Sequence, residues 1–250
     1  MPVQLPDVPT SVTAALDLLT EELRSAAGSN LAGLILYGGL ARGRYRPGRS
    51  DVNVLVLLHD ASNTALASIT PALRRAWRAA GVNPLLLTPA DFAGAADAFP
   101  TKFLDIQRHH IVLAGADPFP SLHITPEQIR LRTAQDLHNL LLRLRHRYVA
   151  AAGDPGMLAH ALARAARPLA LDLAALLELA GKPAPAEDRT ASIFDAAAAA
   201  FALPSEPLAR LAELRQEVEP ATDLNSLYAD LLAVLARAAA VADRMEENRQ

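Results

Sequence analysis

The chain has 250 residues, of which 51% are hydrophobic and only 4% aromatic, and its formal net charge at neutral pH is −3. The absence of cysteine excludes disulfide scaffolds, thiol catalysis and cysteine-ligated zinc sites. A slightly acidic chain is poorly suited to extended binding of nucleic acid, because such binding depends on many contacts between basic side chains and phosphates. With no long uninterrupted apolar run and no signal-peptide pattern, we expect a soluble, cytoplasmic protein that makes no membrane contact.

Hydrophobic periodicity predicts a mixed α/β first half. In chain order it predicts a helix, two strands, a helix and a third strand over residues 10–27, 31–37, 51–58, 63–80 and 82–88. Pro84 near the start of the third strand has no amide hydrogen, which favours an edge position in the sheet. The stretch from Phe99 to Leu113 is compatible with either a strand or a short helix.

Beyond the Asp117-Pro118-Phe119-Pro120 breaker the chain is predicted to be almost entirely helical. The predicted helices cover residues 125–152, 156–180, 191–203, 206–219 and 224–247. Short connections between amphipathic helices are typical of an antiparallel bundle. The sequence therefore predicts two domains, a mixed one over residues 1–120 and a helical bundle over residues 121–250.

One passage carries the features of a nucleotide-binding site. The first predicted strand ends in Tyr37-Gly38-Gly39, and the second begins with Ser50-Asp51-Val52-Asn53. Glycines allow backbone amides to approach phosphate closely. Residues 51 and 53 are two apart on a strand, so their side chains point to the same face. Oxygen ligands at this spacing can hold Mg²⁺ against the phosphates of a substrate.

This passage resembles the polymerase-β-like nucleotidyltransferases, whose signature is an apolar strand, Gly-Ser or Gly-Gly, a loop and Asp-x-Asp or Asp-x-Glu. The segment Ala41-Arg42-Gly43 is similar to the minimal nucleotidyltransferases and to the aminoglycoside adenylyltransferases, which also carry a C-terminal helical domain. The resemblance implies an α+β nucleotidyltransferase domain with a short mixed sheet, followed by an all-α helical bundle, with a cleft between them.

The resemblance also implies an activity and a set of roles. A nucleotidyl group, AMP from ATP or another nucleoside triphosphate, would be transferred with Mg²⁺ to a hydroxyl of a small-molecule or protein acceptor. Asp51 and Asn53 would be catalytic and would ligate the metal ion. The nucleotide would be bound by Gly38, Gly39, Arg42, Ser50 and Lys102.

Members of this family use a third carboxylate, from a later strand, as a metal ligand or as the base for the acceptor hydroxyl. Asp105 and Asp91 are the candidates for this third catalytic group. The resemblance favours Asp105, because the preceding Phe99-Pro100 is similar to the opening of the stretch that carries the acceptor base in aminoglycoside adenylyltransferases.

Two other functions stay open at this point. Asn53 stands where the family carries a second carboxylate, and an amide brings no negative charge, which is compatible with a pseudo-enzyme that only binds a nucleotide or a protein. Arg132 and His138 have the spacing seen in HEPN ribonucleases, which would place RNA cleavage in the helical half.

Overall fold

The structure, a computed structural model, describes residues 8–45, 47, 50–182, 185, 190–214 and 223–245. The chain divides into two compact units, Met1–Ile124 and Thr125–Gln250, so the boundary lies slightly beyond the predicted residue 120. The described residues form four strands and nine α-helices.

The first unit contains one mixed sheet with the strand order β3-β2-β1-β4. Its strands are β1 Leu31–Tyr37, β2 Val52–Leu58, β3 Val82–Leu87 and β4 His110–Gly115. Strand β2 runs parallel to β3 and antiparallel to β1, which also pairs antiparallel with β4. The predicted edge position of the proline-containing third strand is confirmed, because β3 lies at one end of the sheet.

Four helices accompany this sheet: α1 Thr10–Ala27, α2 Asn63–Ala80, α3 Pro89–Ala98 and α4 Pro100–Arg108. Helix α3 was not predicted, although it begins with a Thr88–Asp91 capping box that satisfies its first amides. The ambiguous stretch after Phe99 contains both elements, since α4 ends at Arg108 and β4 begins at His110.

Strand alternation sends the side chains of β2 to two different cores. Val52, Val54 and Val56 pack in a cluster with buried residues of α1 and α2. Leu55 and Leu57 pack on the opposite side in a cluster with residues of α3 and α4. Because side chains two residues apart share a face, the side chain of residue 53 points to the face that α3 and α4 cover.

The second unit consists of five helices, and the predicted helical bundle is confirmed. They are α5 Pro126–Ala151, α6 Pro155–Leu179, α7 Thr190–Phe201, α8 Ser205–Leu214 and α9 Leu224–Arg244. The predicted continuations of the last two helices, to residues 219 and 247, lie outside the described residues.

Helix α9 differs from the sequence expectation, because among the described helices it is long and apolar enough to cross a membrane. Its Leu231, Val234 and Leu235 are fully buried in the core of the bundle. The hydroxyl of Tyr228 on the same helix is also buried, and it donates to the carbonyl of Leu144 on α5 at 2.9 Å. The apolar face of α9 is therefore explained by packing within the second unit.

We predict that Gly115→Ala destabilises the first unit by at least about 2 kcal/mol. Gly115 has a φ of 77°, and a Cβ there would lie 2.1 Å from the carbonyl oxygen of Ala32 on β1. Gly81→Ala is the matched control, because Gly81 has a φ of 64° but open space around its Cα. Chemical denaturation followed by circular dichroism measures both, and equal losses would contradict the tight approach of β4 to β1.

Candidate functional site

Polar residues collect where β1 ends and β2, β3 and β4 begin. Tyr37 at the end of β1 pairs with Asn53 on β2 and with His110 on β4, and Asn53 pairs in turn with Asn83 on β3. The loop after β1 and helix α4 add further polar side chains. We call this region the polar edge, and its members are Tyr37, Gly38, Gly39, Arg42, Arg44, Ser50, Asp51, Asn53, Asn83, Lys102, Asp105, Arg108 and His109.

The glycine turn brings the backbone after β1 close to Asn53. Gly38 has a φ of 80°, and a Cβ at this position would lie 3.1 Å from the Nδ2 atom of Asn53. The turn closes through backbone hydrogen bonds, in which the amide of Arg42 donates to Gly38 and that of Arg44 donates to Gly39. Glycine is therefore required at position 38, because the backbone has a positive φ and because the Asn53 side chain leaves little space for a Cβ.

Asn53 and Asn83 form a side-chain pair across two parallel strands. The Nδ2 atom of Asn83 lies 3.4 Å from the Oδ1 atom of Asn53 and donates to it. The oxygen of Asn53 that was predicted to ligate a metal ion thus already accepts a hydrogen bond. Asn83 lies on β3, the strand that pairs in parallel with β2, whereas the resemblance assigned the third carboxylate to Asp105 or Asp91.

The predicted carboxylates are distributed differently from what the resemblance implies. Asp51 is exposed and immediately precedes β2. Asp105 lies on helix α4 rather than on a strand, and it forms an ion pair with Arg42. Asp91 belongs to the capping box of α3, where it accepts from both the amide and the hydroxyl of Thr88. These hydrogen bonds lower the pKa of Asp91 and explain it as a structural residue.

The polar edge carries several cations. The ammonium of Lys102 lies 5.7 Å from the ring centroid of Tyr37. Burial lowers the pKa of His109, and the positive charges of Arg42, Arg108 and Arg44 lower it further. The carboxylate of Asp105 lies 3.6 Å from the His109 ring but is already paired with Arg42. The field at this position is therefore positive, which suits an anionic ligand.

The donor set does not fit a site that holds Mg²⁺ by itself. Among the described residues, no three His, Asp or Glu side chains form a group that could bind a metal ion. At positions 51, 53 and 83 the chain offers one carboxylate and two amides. At an effective dielectric constant near 20, each missing unit charge about 4 Å from a monovalent cation removes roughly 4 kcal/mol of attraction, and a dication doubles this. Asp51 and Asn53 thus remain a metal site by resemblance only.

Sequence reasoning missed Asn83 and His109. A signal for Asn83 was present, because the same Val-Asn dipeptide opens both β2 and β3, at residues 52–53 and 82–83. The repeated dipeptide places two amides side by side only if β2 and β3 pair in parallel and in register. The sequence pattern does not show this pairing. No motif in the sequence marks His109; its link to the site comes from Asp105, one helical turn earlier.

The structure does not bring Arg132 and His138 together. The Nε atom of Arg132 donates to Asp136 at 2.9 Å, whereas the His138 ring faces Asp243 on α9 at 3.4 Å. With about 3.6 residues per turn, positions six apart on a helix point in directions roughly 120° apart. These contacts explain both residues within the bundle and give no support to a ribonuclease site.

Comparison with known proteins gives a likeness of fold. No protein-family model matches the chain, and no curated protein matches its sequence. A solved structure does match it: spectinomycin adenyltransferase AAD(9) from Enterococcus faecialis, crystallised with ATP and spectinomycin. The TM-score is 0.52 at 12% sequence identity, and the match covers 93% of this chain and 98% of that one. The predicted resemblance in fold to the aminoglycoside adenylyltransferases, and the predicted fold class, are therefore confirmed.

We predict that Arg42→Ala raises the pKa of His109. The substitution removes a neighbouring positive charge and releases Asp105 to pair with the imidazolium. NMR titration of the imidazole protons measures the change, with His109→Gln to assign the signal and Arg24→Ala, on the exposed face of α1, as the control. An unchanged His109 pKa in Arg42→Ala would contradict the closeness of Arg42 and Asp105 to the His109 ring.

The lowered pKa of His109 in the natural chain also makes its stability depend on pH. The folded chain protonates His109 at a lower pH than the unfolded chain, whose ordinary histidine pKa is 6.5. The unfolded state therefore binds more protons as the pH falls through that value, and the free energy of unfolding decreases. In Arg42→Ala this pH-dependent decrease should be smaller, as denaturation at pH 7.5 and 5.5 would measure.

Proposed function

We propose that this protein binds a nucleoside triphosphate at the polar edge of its sheet. The observation that carries this proposal is the group of cations on α4 and after β1 beside a glycine turn at the sheet edge. The fold is shared with an adenyltransferase crystallised with ATP. ATP is therefore the first nucleotide to test. The composition of the chain supports a cytoplasmic location, where this nucleotide is abundant.

The proposed contacts follow from the chemistry of the side chains. Lys102 is exposed, and its ammonium can turn from the Tyr37 ring to a phosphate oxygen. The guanidinium of Arg42 beside the turn would be shared between Asp105 and a phosphate. Gly38 lets the turn pack beside Asn53, Gly39 would allow a phosphate to approach the backbone, and the hydroxyl of Ser50 would complete the site.

A second candidate function is transfer of AMP from ATP to a hydroxyl of a small molecule. It is favoured by the fold likeness to an adenyltransferase crystallised with spectinomycin, and by the presence of Asp51 before β2. The acceptor oxygen would attack the α-phosphorus, the bond to the bridging oxygen would break, and pyrophosphate would leave. Asp105 would accept the hydroxyl proton, in competition with its ion pair to Arg42.

Binding is tested by calorimetry with ATP, GTP, CTP and UTP. We expect saturable binding of at least one nucleotide, weakened about tenfold in Lys102→Ala because a charged hydrogen bond to phosphate is lost. Arg74→Ala, on the exposed surface of α2, is the matched control and should bind as the natural chain does. If none of the four nucleotides binds, the proposed function is wrong.

Transfer is tested with ATP labelled at the α-phosphate and a set of hydroxylated acceptors that includes spectinomycin. We expect slow labelling in the natural chain and at least about tenfold faster labelling in Asn53→Asp/Asn83→Asp with Mg²⁺, since two charged ligands are restored. In the double variant, Asp51→Ala should abolish the Mg²⁺-dependent gain in labelling, because Asp51 is one of the ligands restored to a complete set. A gain that persists without Asp51 would contradict transfer at this site.

A further inference from the structure

We infer that the polar edge binds its triphosphate without a bridging divalent metal ion, through the cations of the chain itself and the paired amides of Asn53 and Asn83. This inference rests on the proposed function and specifies how the nucleotide is held. Three features of the first unit lead to it: the pairing of the two amides, the lack of acidic residues in the sequence between Gly39 and Asp51, and the cations described on α4 and after β1.

The amide pair occupies the place where charged metal ligands would be needed. Asn53 and Asn83 are Cα partners on parallel strands, and the Oδ1 atom of Asn53 accepts from the Nδ2 atom of Asn83. The Nδ2 atom of Asn53 lies against Gly38, which holds the side chain in place. Beyond its own hydrogen bond the pair presents N–H donors, which suit a phosphate or a base, and carbonyl oxygens that bring no negative charge to a cation.

The turn after β1 supplies cations. Its described arginines are Arg42 and Arg44, and the sequence between Gly39 and Asp51 contains no acidic residue. Helix α4 adds Lys102 and Arg108, and its one acidic residue, Asp105, forms an ion pair with Arg42. A triphosphate carries about four negative charges when no metal ion is bound, and arginine and lysine are the side chains that neutralise such charges directly.

Removal of the Asp51 carboxylate tests this inference, because the nucleotide affinity changes in opposite directions with and without a bridging metal ion. If a metal ion bridges Asp51 and the phosphates, removal of the carboxylate weakens nucleotide binding. If no metal ion lies between them, the exposed carboxylate repels the phosphates, and its removal strengthens binding. The isosteric Asp51→Asn keeps the shape of the side chain, so the comparison concerns charge alone.

The first experiment measures ATP binding by calorimetry in EDTA and in Mg²⁺. In the natural chain we expect ATP to bind in EDTA at least as tightly as in Mg²⁺. Asp51→Asn should bind ATP more tightly in both buffers, and about fivefold more tightly in EDTA, the effect of one unit charge near a solvated surface. The sign of the change in Mg²⁺ is the deciding result. Asp17→Asn, on the exposed face of α1, is the control for loss of a carboxylate and should leave the affinity unchanged.

The outcomes separate this inference from the proposal on which it rests. Binding that is tenfold or more tighter in Mg²⁺ and is lost in Asp51→Asn would overturn the inference and leave nucleotide binding intact. Absence of ATP binding in both buffers would contradict the proposed function itself.

The second experiment uses Mg²⁺ alone and needs no nucleotide. We expect Mg²⁺ to leave the melting temperature of the natural chain unchanged and to raise that of Asn53→Asp/Asn83→Asp by at least about 2 °C, because three neighbouring carboxylates then share one ion. Asn139→Asp, exposed on α5, controls for the addition of a carboxylate elsewhere. A Mg²⁺-dependent rise in the natural chain would show that the amide pair does not prevent metal binding, and would overturn the inference.

Discussion

The register in which β2 pairs with its two neighbours fixes the geometry of the site. Tyr37 lies opposite Asn53, and Asn53 lies opposite Asn83, so the end of β1 and the starts of β2 and β3 meet at one edge. A shift of one residue would turn Asn53 toward the core formed with α1 and α2, where the valines of β2 are buried. Burial of both faces of the sheet therefore maintains the position of the polar residues.

This register brings a particular set of charges together, and these charges determine the chemistry of the polar edge. In a site for metal-assisted phosphoryl transfer, carboxylates hold the ion and the ion neutralises the phosphates. Of positions 51, 53 and 83, which lie where β2 and β3 begin, two carry amides. Cations lie in the turn after β1 and on α4. The fold is similar to that of an adenyltransferase crystallised with ATP, and the charges at the polar edge suit an anion better than a metal ion.

Local sequence patterns predicted most of the fold. The bounds of α1, β1 and α2, the edge position of β3 and the five helices of the second unit follow from hydrophobic periodicity, glycine stops and proline, all of which act within a few residues. The pattern does not predict helix α3, although its capping box lies in the sequence. It does not resolve the segment after Phe99 either, because that segment changes from helix to strand within two residues.

The sequence by itself determined the glycine turn, the shared face of Asp51 and Asn53, and the absence of a carboxylate at position 53. Only the tertiary structure decided that Asn83 is the partner of Asn53 and that Asp105 neutralises Arg42. The reason is physical: residues in each of these pairs lie thirty or more positions apart. Their contact depends on strand order, register and helix packing, to which the whole first unit contributes, and no local pattern encodes it.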